Sequence, residues 1–320
     1  MNIIFMGSPD FAVPGLRKIN NEPELNIKAV ITQTDKPRGR GQKLKPTPVK
    51  FQALKMQLDV IEEKNINRES FLKKLRKISP DCIVVVAFGQ KLGQEILSLP
   101  KYGCINLHAS LLPEYRGASP IHQVIIDGKK TTGVTTMYMN EGWDTGDIIY
   151  QKKVKINRGD TAGILHNKLA IIGADLLIKT MIDIKRGVAP RKEQNDELAS
   201  YAKKIDKNTG NINWNKKSIE IYNLIRGLNP WPGAFTYYQN ELLKIWSAEP
   251  VKEDMITEIE HIEDQPGRII LSNEGNELII KTADGFLKIT EIQLAGRQKL
   301  SVKDFLRGYT IISGEKLGQY

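Results

Sequence analysis

The sequence predicts an α/β protein in which a βαβ domain is followed by a small antiparallel β-barrel. Three observations carry this. Residues 2–6 read as an apolar strand that passes through the turn Gly7-Ser8-Pro9-Asp10 into a helix from about Phe11 to Ile19. Two more apolar strands, 81–87 with Val84-Val85-Val86 at its centre and 103–107, each run into a loop. From Phe235 to Tyr309, short alternating segments recur between glycine-bearing turns. At 320 residues the chain has room for two domains and a sizeable core.

After a second strand at Ile27–Thr32 the pattern breaks. Lys36 to Lys50 holds six basic residues, Arg38, Arg40, Lys43 and Lys45 among them, and no acidic one. Three prolines and two glycines argue against a regular element across it. Such a run is either a solvated charged face or a loop that orders on a ligand, and Arg-Gly-Arg suits a phosphate backbone because glycine lets the chain approach. Helical spacing returns at Val49–Leu58 and Glu69–Ile78, where Pro80 ends the helix. The strand 81–87 closes on Phe88-Gly89-Gln90, a joint whose backbone could hold a planar heterocycle.

The stretch Gly103 to Gly117 concentrates the chemistry. Asn106 and His108 are two apart in a strand, so both side chains leave on one side and share one small space. Ser110, Pro113 and Gly117 then open a loop at the carboxyl end of the strand, where ligands of α/β sheets sit. Spacing alone leaves two readings, a satisfied buried polar pair or a catalytic pair. Pro120–Ile126 reads as a helix, with His122 in a surface or packing role.

Thr131–Met139 and Ile148–Ile156 read as strands around the loop Asn140-Glu141-Gly142-Trp143-Asp144-Thr145-Gly146-Asp147. The spacing is not that of an EF-hand, and Trp143 argues for an apolar wall, so Asp144 is the better candidate partner for an imidazole. A long helix follows from Asp160-Thr161 to about Ile184, its sheet-facing side marked by Ile164, Leu165, Leu169, Ile172, Leu176 and Leu177. The polar run at 189–197 reads as a linker, which divides the chain into 1–189, a linker 190–208 and 209–320. Beyond it come Trp214, a helix Ser218–Leu228, the rigid turn 229–234 and the strands 235–239, 241–248, 266–272, 276–282 and 286–294, with a last helix at Val302–Arg307. Small barrels of this kind often hold structured or single-stranded RNA, though many bind nothing.

The net charge of +10 suits a polyanionic partner, or reflects a Lys-rich and Ile-rich composition. No apolar run approaches a membrane span, and the N-terminus has no basic n-region, so a cytoplasmic protein is expected. Cys82 and Cys104, one in each central strand, read as buried thiols of a reducing compartment. The first turn lacks the GxGxxG fingerprint, which weighs against a dinucleotide enzyme.

Taken together, the motifs resemble the methionyl-tRNA formyltransferase family over nearly the whole chain. The resemblance lies in Met6-Gly7-Ser8-Pro9-Asp10-Phe11, Arg38-Gly39-Arg40-Gly41, Asn106-Leu107-His108-Ala109-Ser110-Leu111-Leu112-Pro113, Tyr115-Arg116-Gly117 and Asp144-Thr145-Gly146-Asp147. It extends to Ser200-Tyr201-Ala202-Lys203-Lys204-Ile205 and Asn229-Pro230-Trp231-Pro232-Gly233-Ala234. Two residues depart from the family's habit: Tyr115 stands where tryptophan is common and Trp143 where leucine is common.

The resemblance implies a Rossmann-like formyltransferase domain and a C-terminal OB-like barrel that contacts initiator tRNA. It implies formyl transfer from 10-formyltetrahydrofolate to the α-amino group of methionyl initiator tRNA, carried by Asn106, His108 and Asp144. The folate would lie against Ser110, Leu111, Leu112 and Pro113, with Phe88 and Gly89 beside it. The tRNA would meet Arg38, Arg40, Lys43 and Lys45 in the basic loop and Lys203, Lys204 and Lys207 after the linker. Attack by an amine builds negative charge on the formyl oxygen, which Asn106 and a protonated His108 are suited to receive. Asp144 would orient the imidazole or accept a proton from the attacking nitrogen. No metal is expected, because an α-amine with a pKa of about 8 is present in useful amounts unprotonated. A monomer with no DNA or membrane partner is expected. The alternative, a transferase acting on a small amine or amino-sugar nucleotide, leaves residues 36–50 and the barrel without a task; a nonenzymatic RNA-binding protein is the other option.

Overall fold

The computed structural model describes residues 1–38, 41, 43–251, 265–271 and 277–318. They form two compact units, one of residues 1–120, 131–155 and 166–202, the other of 121–130, 156–165 and 203–320.

The first unit is built on a seven-stranded sheet. In chain order its pieces are β1 (Asn2–Gly7), α1 (Val13–Asn20), β2 (Asn26–Thr32), β3 (Lys36–Arg38), β4 (Lys43–Lys45), α2 (Pro48–Lys55), β5 (Val60–Glu62), α3 (Glu69–Ile78), β6 (Cys82–Val86), α4 (Gln94–Leu97), β7 (Cys104–His108) and β8 (Arg116–Gly117). After α5 (Pro120–Ile126), which from Ile121 on belongs to the second unit, come β9 (Thr131–Tyr138), β10 (Ile148–Lys155), α6 (Ala162–Lys185), which belongs to the first unit from His166 on, and β11 (Tyr201–Ala202). The strand order is β10-β9-β7-β6-β1-β2-β5, parallel from β7 through β5 and antiparallel at β7–β9 and β9–β10. Every residue of β6 and β7 is buried, as central parallel strands covered on both faces require. Each buried valine, isoleucine or leucine there contributes roughly 1.5–3 kcal/mol.

α3 buries Phe71, Leu72 and Leu75 and ends on Ser79, whose φ of +50° stops the helix immediately before Pro80. In α6 the inward stripe is Leu169, Ala170, Ala174, Leu177, Met181 and Ile184, while Ile164 is 45% exposed and so does not belong to the expected inner face. Gly173 lets the helix lie close on β7, since a Cβ there would stand 2.9 Å from Leu107.

Residues 36–50 also differ from expectation. β3 and β4 pair antiparallel, with Pro37 opposite Leu44, and Pro48 starts α2 behind the N-cap Thr47, whose hydroxyl accepts from Lys50 N at 3.1 Å. Proline is tolerated because both strands of an isolated ribbon are edges, so no central ladder bond is lost. Arg40 lies outside the described residues, as do the side chains of Arg38 and Lys43.

The second unit holds α7 (Ser218–Gly227), β12 (Ala234–Tyr238), β13 (Glu241–Val251), β14 (Ile269–Leu271), β15 (Leu278–Lys281), β16 (Phe286–Leu294), β17 (Leu300–Ser301) and α8 (Val302–Leu306). Its sheet runs β12-β13-β16-β15-β14, antiparallel throughout, with β17 on β16. The C-terminal stretch joins the two ends of that order: Gly318 N donates to Tyr237 O at 2.8 Å and Leu317 N to Gly267 O at 2.9 Å. The result is a curled, OB-like barrel around Trp214, Ile221, Ile245, Leu278, Ile289 and Phe305.

Candidate active site

β7 sets the site. Asn106 lies opposite Val85 of β6 and His108 opposite Thr135 of β9, so the two polar side chains leave one face of a buried strand near its carboxyl end. Both are buried, at 9% and 7% exposure. β6 runs parallel beside it, so the turn at Ala87–Gly89 and the loop after His108 emerge from the same edge of the sheet.

Asp144 completes the group. Its Oδ2 accepts from Gly117 N at 2.9 Å and stands 3.6 Å from His108 Nδ1, while Oδ1 is 3.4 Å from Asn106 Nδ2. The residue occupies the left-handed region at φ +55°, which aspartate tolerates better than most side chains. Gly146 is required behind it, because a Cβ would stand 1.7 Å from Tyr138 O.

The imidazole has a defined hand. His108 Nε2 lies 2.9 Å from the Tyr115 carbonyl, which can only accept, so Nε2 carries a proton. A neutral ring therefore presents a bare Nδ1 and a charged ring presents Nδ1–H. The 3.6 Å gap to Asp144 is too wide for a direct hydrogen bond and leaves Nδ1 able to engage a third atom.

The loop after His108 hangs on Thr135. Its hydroxyl donates to Ser110 O at 2.6 Å and accepts from Leu112 N at 3.2 Å, and Gln151 Nε2 donates to Leu112 O at 2.8 Å. Ser110 is fully buried and donates to Glu114 O at 2.6 Å; Leu112 packs with Met137 and Ile148. Leu111 and Pro113 are half-buried. Phe88 belongs to the core and its carbonyl accepts from Gln33 Nε2 at 2.9 Å, while Gly89 is exposed at φ +81°. Trp143 is 62% exposed, so the apolar wall expected of it is not packed within this chain. Lys45, Lys203, Lys204 and Lys207 are all exposed.

Of the other residues around the site, Gln194 and Thr135 carry little sequence signal, whereas Arg116 and Ser200 fall in stretches that carry the resemblance. Gln194 and Arg116 are buried, and Ser200 Oγ accepts from Tyr115 N at 2.8 Å. Gln194 sits in a polar run whose composition reads as linker, and Thr135 in an ordinary alternating strand; the pairing of β8 with β11 and the bridge between Ile148 and Lys192 bring residues 194–202 here. After β1, a second carboxylate and imidazole meet, Asp10 Oδ1 and His166 Nε2 at 3.4 Å. Their mutual hydrogen bond holds the Asp10 carboxyl below its ordinary range and raises His166. Burial pushes the Cys104 thiol up to about 12 and Cys82 well above the ordinary range. Among the described residues no cluster of three metal-ligating side chains occurs, and no helix is long and apolar enough to cross a membrane.

Comparison with known proteins identifies the family of both domains. The family described as Formyl transferase matches residues 1–181, and that described as Formyl transferase, C-terminal domain, matches 204–310. A methionyl-tRNA formyltransferase of Halothermothrix orenii is 60% identical over 99% of this chain and 100% of its own length. One from Caldicellulosiruptor saccharolyticus is 48% identical over the same shares of the two chains. The crystal structure of an N-formyltransferase from Helicobacter canadensis, in complex with folinic acid and dTDP-3-aminofucose, shares the fold with a TM-score of 0.65 at 24% identity, covering 93% of this chain and 99% of that one. With relatives matched along their full length and both domains accounted for, the chain belongs to the methionyl-tRNA formyltransferase family.

Proposed function

We propose that this chain transfers a formyl group from 10-formyltetrahydrofolate to the α-amino group of methionyl initiator tRNA, with Asn106, His108 and Asp144 carrying the transfer. The observation that carries the reading is the meeting of an amide, an imidazole and a carboxylate at the edge of the sheet where the 87–89 and 109–113 loops emerge. The donor set fits acyl chemistry, for one N–H of Asn106 and His108 Nδ1 both remain available to a third atom.

The folate, bound at Phe88, Gly89 and Ser110–Pro113, would supply an amide-like formyl carbon. Asn106 Nδ2 donates to the oxygen on which charge develops, and a protonated Nδ1 of His108 does the same; such preorganised donors usually provide the largest share of acyl-transfer catalysis. Tyr115 O fixes the ring, so only Nδ1 exchanges its proton with the site. Asp144, anchored by Gly117 N–H, takes the proton released by the attacking amine, directly or through one water, and that proton is returned to the folate N10 as the bond between N10 and the formyl carbon breaks and tetrahydrofolate leaves. Ser110 and Leu112 support the folate loop through Thr135 rather than by exposed side chains.

The tRNA would be met by the basic residues Arg38, Arg40, Lys43 and Lys45 and by Lys203, Lys204 and Lys207. We read the active unit as a monomer of the cytoplasm, where charged tRNA and folate are both available. The test is formyl transfer measured against salt. kcat/KM for the tRNA should fall steeply with ionic strength, and Arg40→Ala should lower it at least roughly tenfold while the folate KM stays within about twofold. Equal effects on both substrates would assign these basic residues to the folate site instead.

A further inference from the structure

We propose that Gln194, clamped by Arg116, is a positioning residue for the transfer: it fixes the peptide that carries Asp144 so that the carboxylate stays opposite His108 Nδ1. The inference rests on the reading of Asn106, His108 and Asp144 given above.

Gln194 lies between the two ranges that the family descriptions match, in a stretch whose composition suggests only a linker. Its side chain is nonetheless buried, at 8% exposure, and fully engaged. Nε2 donates to Asp144 O at 2.9 Å and to Gly146 O at 2.7 Å, the two carbonyls that bracket the turn after Asp144. Oε1 accepts from Arg116 Nε at 3.1 Å and Nη2 at 2.9 Å, and Nη2 also donates to Asp196 Oδ1 at 2.7 Å. The amide has one possible orientation, because the guanidinium only donates and the two carbonyls only accept.

Arg116 reaches the same site from the other side. The carbonyl of the residue before it, Tyr115, holds His108 Nε2, and the N–H of the residue after it, Gly117, holds Asp144 Oδ2. The Gln194–Arg116 contact therefore links the backbone that carries Asp144 to the backbone that orients both His108 and the Asp144 carboxylate. Neither residue touches the reacting atoms; Gln194 acts through Asp144, whose peptide it holds. A shift of the Asp144 peptide by a fraction of an ångström changes the 3.6 Å spacing on which Nδ1 depends.

Glutamate at 194 is the sharp perturbation. It keeps shape and the Arg116 contact but turns a lone pair toward two carbonyls, which pushes the Asp144 turn away. In the full-length enzyme, with 10-formyltetrahydrofolate and methionyl initiator tRNA as substrates, Gln194→Glu should lower kcat roughly 10–100-fold with both KM values within about twofold. In an Asp144→Asn background the same change should cost less than about a further twofold, since two changes acting through one group are not additive. Gln194→Met, which loses the two carbonyl bonds and the Arg116 contact as well but adds no charge, should show the same split and serves where the glutamate variant does not fold. The proposal is overturned if a folded variant keeps parental kcat, if the loss is confined to KM, or if the losses multiply in the double variant. Asp144→Asn alone separates the two levels. If it is as fast as the parent, the catalytic reading fails and this inference with it; if it is slow while Gln194→Glu is fast, only the positioning role fails.

Discussion

Replacing Asp144 by asparagine removes a charge while leaving the shape of the site. The side-chain amide oxygen of the Asp144→Asn variant can still accept from Gly117 N–H, as the carboxylate Oδ2 does at 2.9 Å, so the fold should hold and the melting temperature should stay within a few degrees of the parent. What is lost is the acceptor for Asn106 Nδ2, because the amide nitrogen now stands in the place of Oδ1, and the attraction between the carboxylate and a protonated His108 across 3.6 Å, about 4–5 kcal/mol at an effective dielectric of about 20. The amide dipole retains a part of this. A net loss of about 3–4 kcal/mol of transition-state stabilisation corresponds to kcat lower by roughly 10²–10³-fold. Single-turnover transfer of a labelled formyl group at saturating substrates measures it without interference from product release. A folded Asp144→Asn enzyme within about threefold of the parental rate would refute the argument.

Three further outcomes follow from neighbouring groups. Thr135→Val strands Ser110 O and Leu112 N inside the protein and should cost about 1–3 kcal/mol in urea unfolding while raising the folate KM; unchanged values of both would detach the loop from Thr135. Cys82 and Cys104 should resist iodoacetamide in the native protein at pH 8, because burial keeps both thiols protonated, and should react only on unfolding; rapid native labelling of one equivalent would contradict this. The Asp10–His166 pair makes stability depend on pH in two directions. His166 is raised above its ordinary 6.5, so its share is complete below that value and is lost as pH rises through the raised one; Asp10 is lowered from 3.8, so its share is present above that value and is lost as pH falls through the lowered one. Asp10→Asn should therefore be most destabilising between about pH 4 and 6.5, by under about 1 kcal/mol for a pair with an exposed carboxylate, and nearly neutral at pH 9; a difference that grows toward pH 9 would reverse the assignment.

The candidate site was legible in the sequence only where local geometry decides it. Asn106 and His108 are two apart on a strand, and strand geometry alone places them side by side. Asp144 could be singled out from its loop, but its meeting with His108 depends on Gly117 and Gly146, one donating to the carboxylate and one clearing space for the turn. Gln194 was illegible because its partners are backbone carbonyls 48 and 50 residues earlier and a guanidinium 78 residues earlier. The short pairs β3–β4 and β8–β11 escaped for a related reason: two or three residues carry no periodicity, and proline in 36–50 argued against what an edge ribbon permits. Long elements fared better. The continuous apolar runs of β6 and β7 read directly as central strands, although the inner face of α6 turned out rotated enough to expose Ile164.

The most direct test of the whole account is transfer of a labelled formyl group from 10-formyltetrahydrofolate, with methionyl initiator tRNA, unacylated tRNA, free methionine and an amino-sugar nucleotide offered as acceptors. Rapid, salt-sensitive labelling of the methionyl-tRNA is expected, with no labelling of the unacylated tRNA and little or none of the small amines. Preferred labelling of a small amine, or no transfer to methionyl-tRNA by folded protein, would contradict it.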